Sequence, residues 1–461
     1  MMRSLYSGVS GLKVHQTKMD VIGNNIANVN TVAYKASTVT FSEVFYQTTQ
    51  SASGANPETG KGGTNAKQIG LGSNVGAINS SITSEGASQR TDNAFDLKIS
   101  GESFFVVQSN GKQLFTRAGN FTLDDAGYLV TASGAYVMGW QIDQETGEIQ
   151  KDTVSPLQPK SSQFSYTEPE ATTNYTVSGN LNKEDSNFKN DKPVQISVKF
   201  FDSLGYEYTA NIDIEQSDTD VNTYNLKLGD IYCNNKKTNL QADSVDLGTI
   251  VFDANTGKPT GGTTDPDTGE TVYEFTIPAL KPTDQATLGL SDEDWAKMTI
   301  VSENMTFNEI TVDYSKMTSY ADQTNLAGDF GDLDGLGAGK GVGKLTGISV
   351  NNSGELVGSY SNGDVKTLGQ IAVAKFSNPT GLEKVGENYY AATLNSGLFD
   401  GIGYDVTSTG GSIAAGVLEM SNVDLSSEFT EMITTQRGFQ ANSRIITVSD
   451  TLIEELVNLK R

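Results

Sequence analysis

The chain has 461 residues, a hydrophobic share of 36%, 48 Gly against 10 Pro, and a formal net charge of −24. That length accommodates two to four domains, and so acidic a chain lacks the clustered Lys and Arg that hold nucleic-acid phosphates, which excludes nucleic acid as a partner. A single cysteine, Cys233, permits no intrachain disulfide, and a single histidine, His15, leaves almost nothing for His-based metal binding or general-base catalysis.

Residues 4–29 read as a helix with Ser4 as its N-cap and an apolar residue every seventh position: Leu5, Leu12, Met19 and Ile26, with Ile22 beside them. Gly8, Gly11 and Gly23 interrupt it at about 1 kcal/mol each, so the helix is expected to order only against a partner. Asn24, Asn25, Asn28 and Asn30 then favour turns. The first 20 residues lack the continuous apolar run of a cleaved secretory signal, and no stretch approaches the roughly 18 apolar residues of a membrane span.

Residues 31–92 are rich in Ser, Thr, Gly and Asn and read as an extended connector that packs against its neighbours. From 93 the pattern changes to short strands: Phe95, Leu97 and Ile99 alternate, and Phe104 to Val107 form a compact apolar run. Residues 121–130 read as two strands about an Asp-Asp-Ala-Gly turn, and the phrase returns at 348–357. This echo assigns 93–160 and 326–420 to the two halves of one inner β-domain. Between them, 161–325 reads as an inserted acidic β-domain, because Val194, Ile196, Val198 and Phe200 alternate, as do Tyr206, Tyr208, Ala210, Ile212 and Ile214. Residues 161–340 hold 30 Asp and Glu against 12 Lys and Arg, as expected of a solvated surface.

Residues 421–461 contain the better helix. Leu425, Met432, Phe439, Ile446 and Ile453 repeat every seven, and Phe429, Leu452, Leu456 and Leu459 widen the stripe. Asp424 or Ser426 can cap it, and Lys460 and Arg461 suit its negative end. The fold class is therefore mainly β with α-helical termini: nested β-domains, one inserted in the other, on a helical stalk made by the two end segments.

The chain is poor in site chemistry. Gly339-Lys340 and Gly343-Lys344 resemble phosphate-loop fragments but lack the other residues of that motif. Asp332-Leu-Asp334-Gly335 has Phe330 and Gly341 where a calcium loop needs ligands. Asp265, Asp267 and Glu270 could hold a cation weakly, but an acidic turn is the preferred reading of them. Cys233 reads as an inert thiol, with a covalent link to a neighbouring subunit as the rival. No catalytic, cofactor or metal residue is assigned, and the chain is not read as an enzyme.

The stretch Asp20-Val-Ile-Gly-Asn-Asn-Ile-Ala-Asn-Val-Asn-Thr31 closely resembles the N-terminal signature of the bacterial flagellar rod and hook protein family, as does Leu5-Tyr-Ser-Gly-Val-Ser-Gly-Leu12 before it. Val423-Asp-Leu-Ser-Ser-Glu-Phe429 and Gln436-Arg-Gly-Phe-Gln-Ala-Asn-Ser443 resemble its C-terminal signature. Phe115-Thr-Arg-Ala-Gly-Asn-Phe121, Tyr360-Ser-Asn-Gly363 and Phe376-Ser-Asn-Pro379 are similar to its shared β-domain. The large insertion favours the hook-forming branch over the shorter rod members. The resemblance implies a helical tubular homopolymer with the terminal helices lining its core and the inserted domain outside. It further implies distal rod, hook cap and hook–filament junction proteins as partners, and an extracellular place reached through the flagellar type III export apparatus. The self-assembly residues are then Leu5, Leu12, Met19, Ile22, Ile26, Leu425, Phe429, Met432, Phe439, Ile446, Ile453 and Leu456. The rivals are a distal rod protein and, from a different class, a secreted β-rich adhesin or surface protein.

Overall fold

The computed structural model describes residues 2–55, 60–143, 146–242, 245–264, 271–288, 291–302, 305 and 307–459. Asp265, Asp267, Glu270, Lys460 and Arg461, which the sequence offered as a weak cation group and a helix terminus, lie outside them. The chain divides into two compact units, one of residues 1–164, 347–359 and 365–461, the other of 165–346 and 360–364.

The first unit carries both long helices, α1 (Met2–Ala27) and α2 (Leu425–Asn458). Ser4 is not the N-cap of α1: the helix already runs through it, and its Oγ lies 3.5 Å from that of Ser449. Asp424 does cap α2, its carboxylate accepting from the backbone N–H of Ser426 at 2.8 Å and of Ser427 at 3.4 Å, a contact worth about 1 kcal/mol. The segment after α1 is more ordered than a connector. Strands β1 (Ser37–Glu43) and β4 (Ser73–Ser80) pair antiparallel from Ser37 opposite Ser80 to Glu43 opposite Ser73, and β2 (Tyr46–Gln50) pairs with β3 (Lys67–Gly70). Alternating Ser, Thr and apolar residues suffice for such a ladder once α1 covers one face.

The rest of this unit is β-structure in which strands from both sides of the insertion interleave. Tyr136–Gln141 pairs with Val365–Ile371, Phe104–Ser109 with Val373–Ala374, and Lys112–Thr116 with Tyr389–Ala391. Leu97–Ser100 pairs with Ser412–Ala415, and Ser88–Arg90 with Val417–Glu419, which delivers the chain to α2. The run Phe104–Val107 is buried on both faces. Phe105 and Val107 join Phe121, Leu129, Val137 and Ile371 in one cluster, while Phe104 and Val106 join Phe115, Trp140, Phe376 and Tyr390 in the other. A strand covered on both sides needs such a continuous apolar sequence. The predicted turn at 121–130 forms, with Phe121–Leu123 against Leu129–Thr131 and Gly127 at φ 86°.

Two larger sheets of the second unit enclose one core. Val194–Phe201, Glu207–Gln216, Thr223–Cys233 and Asp246–Phe252 follow one another antiparallel. In the other sheet Asn174–Asn180 lies between Ile310–Thr318, parallel to it, and Asn325–Phe330. Val198, Ile212 and Leu226 pack with Val177, Val312 and Ile277 between the sheets, as alternation requires. The unit continues to residue 346 rather than ending at 325 because Asn325–Phe330 is one of its own strands. The ammonium of Lys340 pairs with Asp364 at 2.7 Å. Asp332 accepts from the backbone of Asp334 and Leu336, as an acidic turn does. Cys233 is 3% exposed, and burial first and Asp202 second push its thiol above the ordinary value, the setting of an inert cysteine.

Candidate functional site at the terminal helices

Helices α1 and α2 lie antiparallel, and their contacts can be followed from end to end. Ser4 meets Ser449, Gly8 meets Ile446 and Asn442, and Gly11 meets Asn442. Gly438 meets the His15 ring, Lys18 pairs with Glu431 at 3.0 Å, and Asn25 bonds Glu428 at 2.9 Å. On α2 the facing residues are Glu428, Glu431, Gly438, Asn442, Ile446 and Ser449, and the buried side chains of that helix are Thr435 and Ser449. Apart from Ile446, the residues that meet across the seam are small or polar, at three- and four-residue spacing.

The glycines read as costs to the helix turn out to set its closest approach. A Cβ on Gly11 would stand 2.7–2.9 Å from the Asn442 side chain, and one on Gly438 2.7 and 2.8 Å from the His15 ring. Gly23 has nothing within 4 Å and keeps only its cost.

The other residues of the seven-residue apolar repeats lie beside this seam. Leu5, Leu12, Met19 and Ile26 on α1, and Met432, Phe439, Ile446 and Ile453 on α2, are each only partly buried, whereas Ile22 is 3% exposed. Leu425, Phe429 and Leu456 are open to solvent, as are Ile433, Val448 and Leu452. Within the single chain the two stripes therefore do not complete their burial against each other. The stripes flank a polar contact and keep apolar area facing outward. Beyond Ser449 helix α2 also overhangs the start of α1, and there Leu452, Leu456, Val457 and Leu459 are all exposed.

Other faces of α1 are covered by β1 and β4. Phe41 stands edge-on to His15 at 5.7 Å, with the Lys18 ammonium 5.8 Å from its ring centre, and Ser10 accepts from the Ser73 N–H at 3.3 Å. His15 is partly buried and its Nδ1 has no hydrogen-bond partner. Burial first, then Lys18, hold its imidazole below the ordinary 6.5. Below about pH 6.5 the unfolded chain therefore takes up a proton that the folded chain resists, so acidification lowers the stability of the helix pair. Glu428 acts in the opposite sense lower on the scale, because burial raises its pKa above the ordinary 4.5 against the bond from Asn25. Thermal melts followed at 222 nm should show the helical transition falling between pH 7.5 and 6, and His15→Gln should flatten that dependence. An unchanged slope in the variant counts against His15 as its source.

Two clusters fasten the helices to the β-structure of the same unit. At the first, Asn25 is 1% exposed and its amide uses its full capacity: it donates to Ser37 O at 2.8 Å and Glu428 at 2.9 Å, and accepts from Ser37 N–H at 3.0 Å and Tyr34 Oη at 3.2 Å. One side chain thereby joins the end of α1, the start of β1 and the first turn of α2. The asparagine-rich exit of α1 had shown only turn preference. At the second, Glu419 pairs with Lys35 at 2.7 Å and with Arg117 at 3.2 Å, all three fully buried. Nothing in the sequence marked these three charges as partners, and only the Phe115–Phe121 motif around Arg117 drew attention. Among the described residues no group of His, Cys, Asp and Glu could hold a metal ion, and no helix is long and apolar enough to cross a membrane.

The comparisons with known proteins follow the same three regions. Residues 5–35 match the family described as flagella basal body rod protein, 98–156 the flagellar hook protein FlgE/F/G D1 domain, and 414–459 the flagellar basal body rod FlgEFG protein C-terminal family. The chain is 36% identical to the flagellar hook protein FlgE of Borreliella burgdorferi and 33% identical to that of Treponema pallidum, in each case over all of both chains. It is also 29% identical, over the full length of both, to the flagellar basal-body rod protein FlgG of Bacillus subtilis. Full-length identity above three residues in ten with hook proteins decides between those branches, and the chain belongs to the FlgE family of flagellar hook proteins.

Proposed function

We propose that the chain polymerises into the flagellar hook through its two terminal helices, with copies of itself as the principal partner. The observation that carries this reading is the outward placement of the apolar repeats. The α1–α2 seam is closed largely by Gly, Ser, Thr, Asn and paired charges, which leaves Phe429, Ile433, Val448, Leu452 and Leu456 without cover in the single chain. Exposed large apolar side chains clustered along one helix mark a surface for protein contact. Leu5, Leu12, Met19, Ile26, Met432, Phe439, Ile446 and Ile453, half-covered beside the seam, would complete their burial against neighbouring copies, and Leu425 would join them; Ile22 would support the pair from within.

The hook is a flexible joint that passes torque from rod to filament, and a contact of partly buried apolar flanks around a polar seam suits repeated small displacements. Rod, cap and junction proteins would meet the two ends of the polymer. Export through the flagellar type III apparatus would deliver subunits to the extracellular tip. Electron microscopy of the concentrated or salted-out protein tests the reading: curved tubes are expected from the intact chain and none from a chain lacking residues 425–461. Tubes from the truncated chain would overturn the role of α2, and isolated particles from the intact chain would favour an adhesin-like surface protein.

A further inference from the structure

We propose that Asn110 is a site of spontaneous backbone modification, where the chain converts through a succinimide to aspartate and isoaspartate. The sequence contains Ser-Asn-Gly twice, as Ser109-Asn110-Gly111 and as Ser361-Asn362-Gly363. A glycine after asparagine leaves the peptide nitrogen without a side chain to shield it. At both glycines a Cβ would find nothing within 4 Å, so open space is common to the two. Their hydrogen bonds set them apart.

Asn110 and Gly111 form the two-residue turn between Phe104–Ser109 and Lys112–Thr116, which pair antiparallel from Phe105 opposite Thr116 to Ser109 opposite Lys112. Their φ values of 50° and 75° fit the turn that asparagine followed by glycine favours. Both residues are exposed. Among the described residues, neither the Asn110 amide nor the Gly111 N–H has a hydrogen-bond partner. The Asn110 side chain is therefore free to rotate until its Cγ meets the Gly111 nitrogen. At Asn362 these freedoms are removed. Its Nδ2 donates toward Thr167 Oγ1 and the Gly341 carbonyl, both at 3.0 Å, and toward Asp364 Oδ2 at 2.9 Å. Its Oδ1 accepts from the Asp364 N–H at 3.1 Å, and the Gly363 N–H donates to the Tyr360 carbonyl at 3.1 Å. Ring closure there would break the bonds of Nδ2 and of the Gly363 N–H together.

In the reaction the Gly111 nitrogen bonds to Asn110 Cγ, the Cγ–Nδ2 bond breaks, and Nδ2 leaves as ammonia with the amide proton. Water then opens the ring. Attack at the side-chain carbonyl gives aspartate; attack at the main-chain carbonyl gives isoaspartate, which routes the backbone through Cγ and lengthens it by one carbon. Either product adds a negative charge to the turn, and the longer isoaspartyl turn forces Ser109 and Lys112 out of register. Phe104–Val107, buried on both faces, holds the remainder of the pairing.

Incubation of the full folded chain in mildly alkaline buffer tests this. Peptide mass spectrometry follows conversion at each asparagine, and methyl transfer from S-adenosylmethionine by an isoaspartyl methyltransferase detects the isoaspartyl form. Asn110 should convert at least about tenfold faster than Asn362, because each bond lost at Asn362 adds to its barrier. Isoaspartate should be among the products, and the rate should rise with pH as the Gly111 nitrogen gives up its proton. In denaturant, where both Ser-Asn-Gly sequences meet the same solvent, the two rates should converge to within about threefold. Equal rates in the folded chain, faster conversion at Asn362, or an Asn110 that stays intact would overturn the proposal. So would a difference that survives denaturation, which would place its cause outside the fold. Tube formation by the parent chain does not depend on the outcome.

Discussion

Chains carrying Phe429→Asp or Leu456→Asp should fold like the parent and fail to polymerise. Both side chains are about half exposed in the single chain, at 49% and 50%, so neither is needed to close its helix pair. If each is buried by a neighbouring copy, removing it forfeits roughly 1.5–3 kcal/mol per contact, and the desolvation of a carboxylate adds to that loss. A loss of about 3 kcal/mol corresponds to a critical concentration raised by roughly 100-fold. Sedimentation of polymer across a concentration series measures this directly, with far-UV circular dichroism as the control for folding. Pelleting at the parent's critical concentration would remove these residues from the interface. Met432→Asp and Phe439→Asp are less discriminating, because those partly buried side chains also touch the chain's own structure.

The second large effect is expected at Gly119, within the Phe115–Phe121 motif. A Cβ there would run into the Leu97 carbonyl oxygen and stand 2.7 Å from its carbon and 3.2 Å from the Phe105 ring. Leu97 and Phe105 are both 0% exposed, and the Leu97 N–H donates back to the Gly119 carbonyl at 2.9 Å. The backbone cannot yield without opening that bond. Gly119→Ala should therefore destabilise the first unit by roughly 3 kcal/mol, which lowers its melting temperature by about 6–12 °C for a domain of this size. Calorimetry is the suitable measurement, and Gly23→Ala is the natural control. With nothing within 4 Å of its Cβ, that substitution should stabilise α1 by about 1 kcal/mol in the unassembled chain. Equal effects from the two glycines would refute the packing argument.

The parts of this structure that were legible in the sequence are those written in hydropathy. Seven-residue repeats announced two helices, and alternation announced strands such as Val194–Phe201 and Glu207–Gln216. The surface between the helices was not legible, because Gly, Ser, Thr and Asn carry little hydropathy, and a glycine in an isolated helix registers only as a cost. Nor could Lys35, Arg117 and Glu419 be matched among 88 charged residues without the fold that brings them together. The connector was underestimated for a related reason: β1 and β4 are mostly polar strands whose pairing is settled by the helix beneath them. The second unit extends past 325 because Asn325–Phe330 pairs with Asn174–Asn180, a partner too distant for local pattern to reveal.

The antiparallel course of α1 and α2 has a practical consequence for labelling. Met2 and Asn458, the outer limits of the two helices, lie toward the same end of the pair, where the leucines past Ser449 stand uncovered. A fluorescent protein or affinity handle fused beyond either helix would therefore crowd that end whichever terminus was chosen. The exposed bend at residues 218–220, between two strands of the second unit, belongs to neither helix and offers an alternative site.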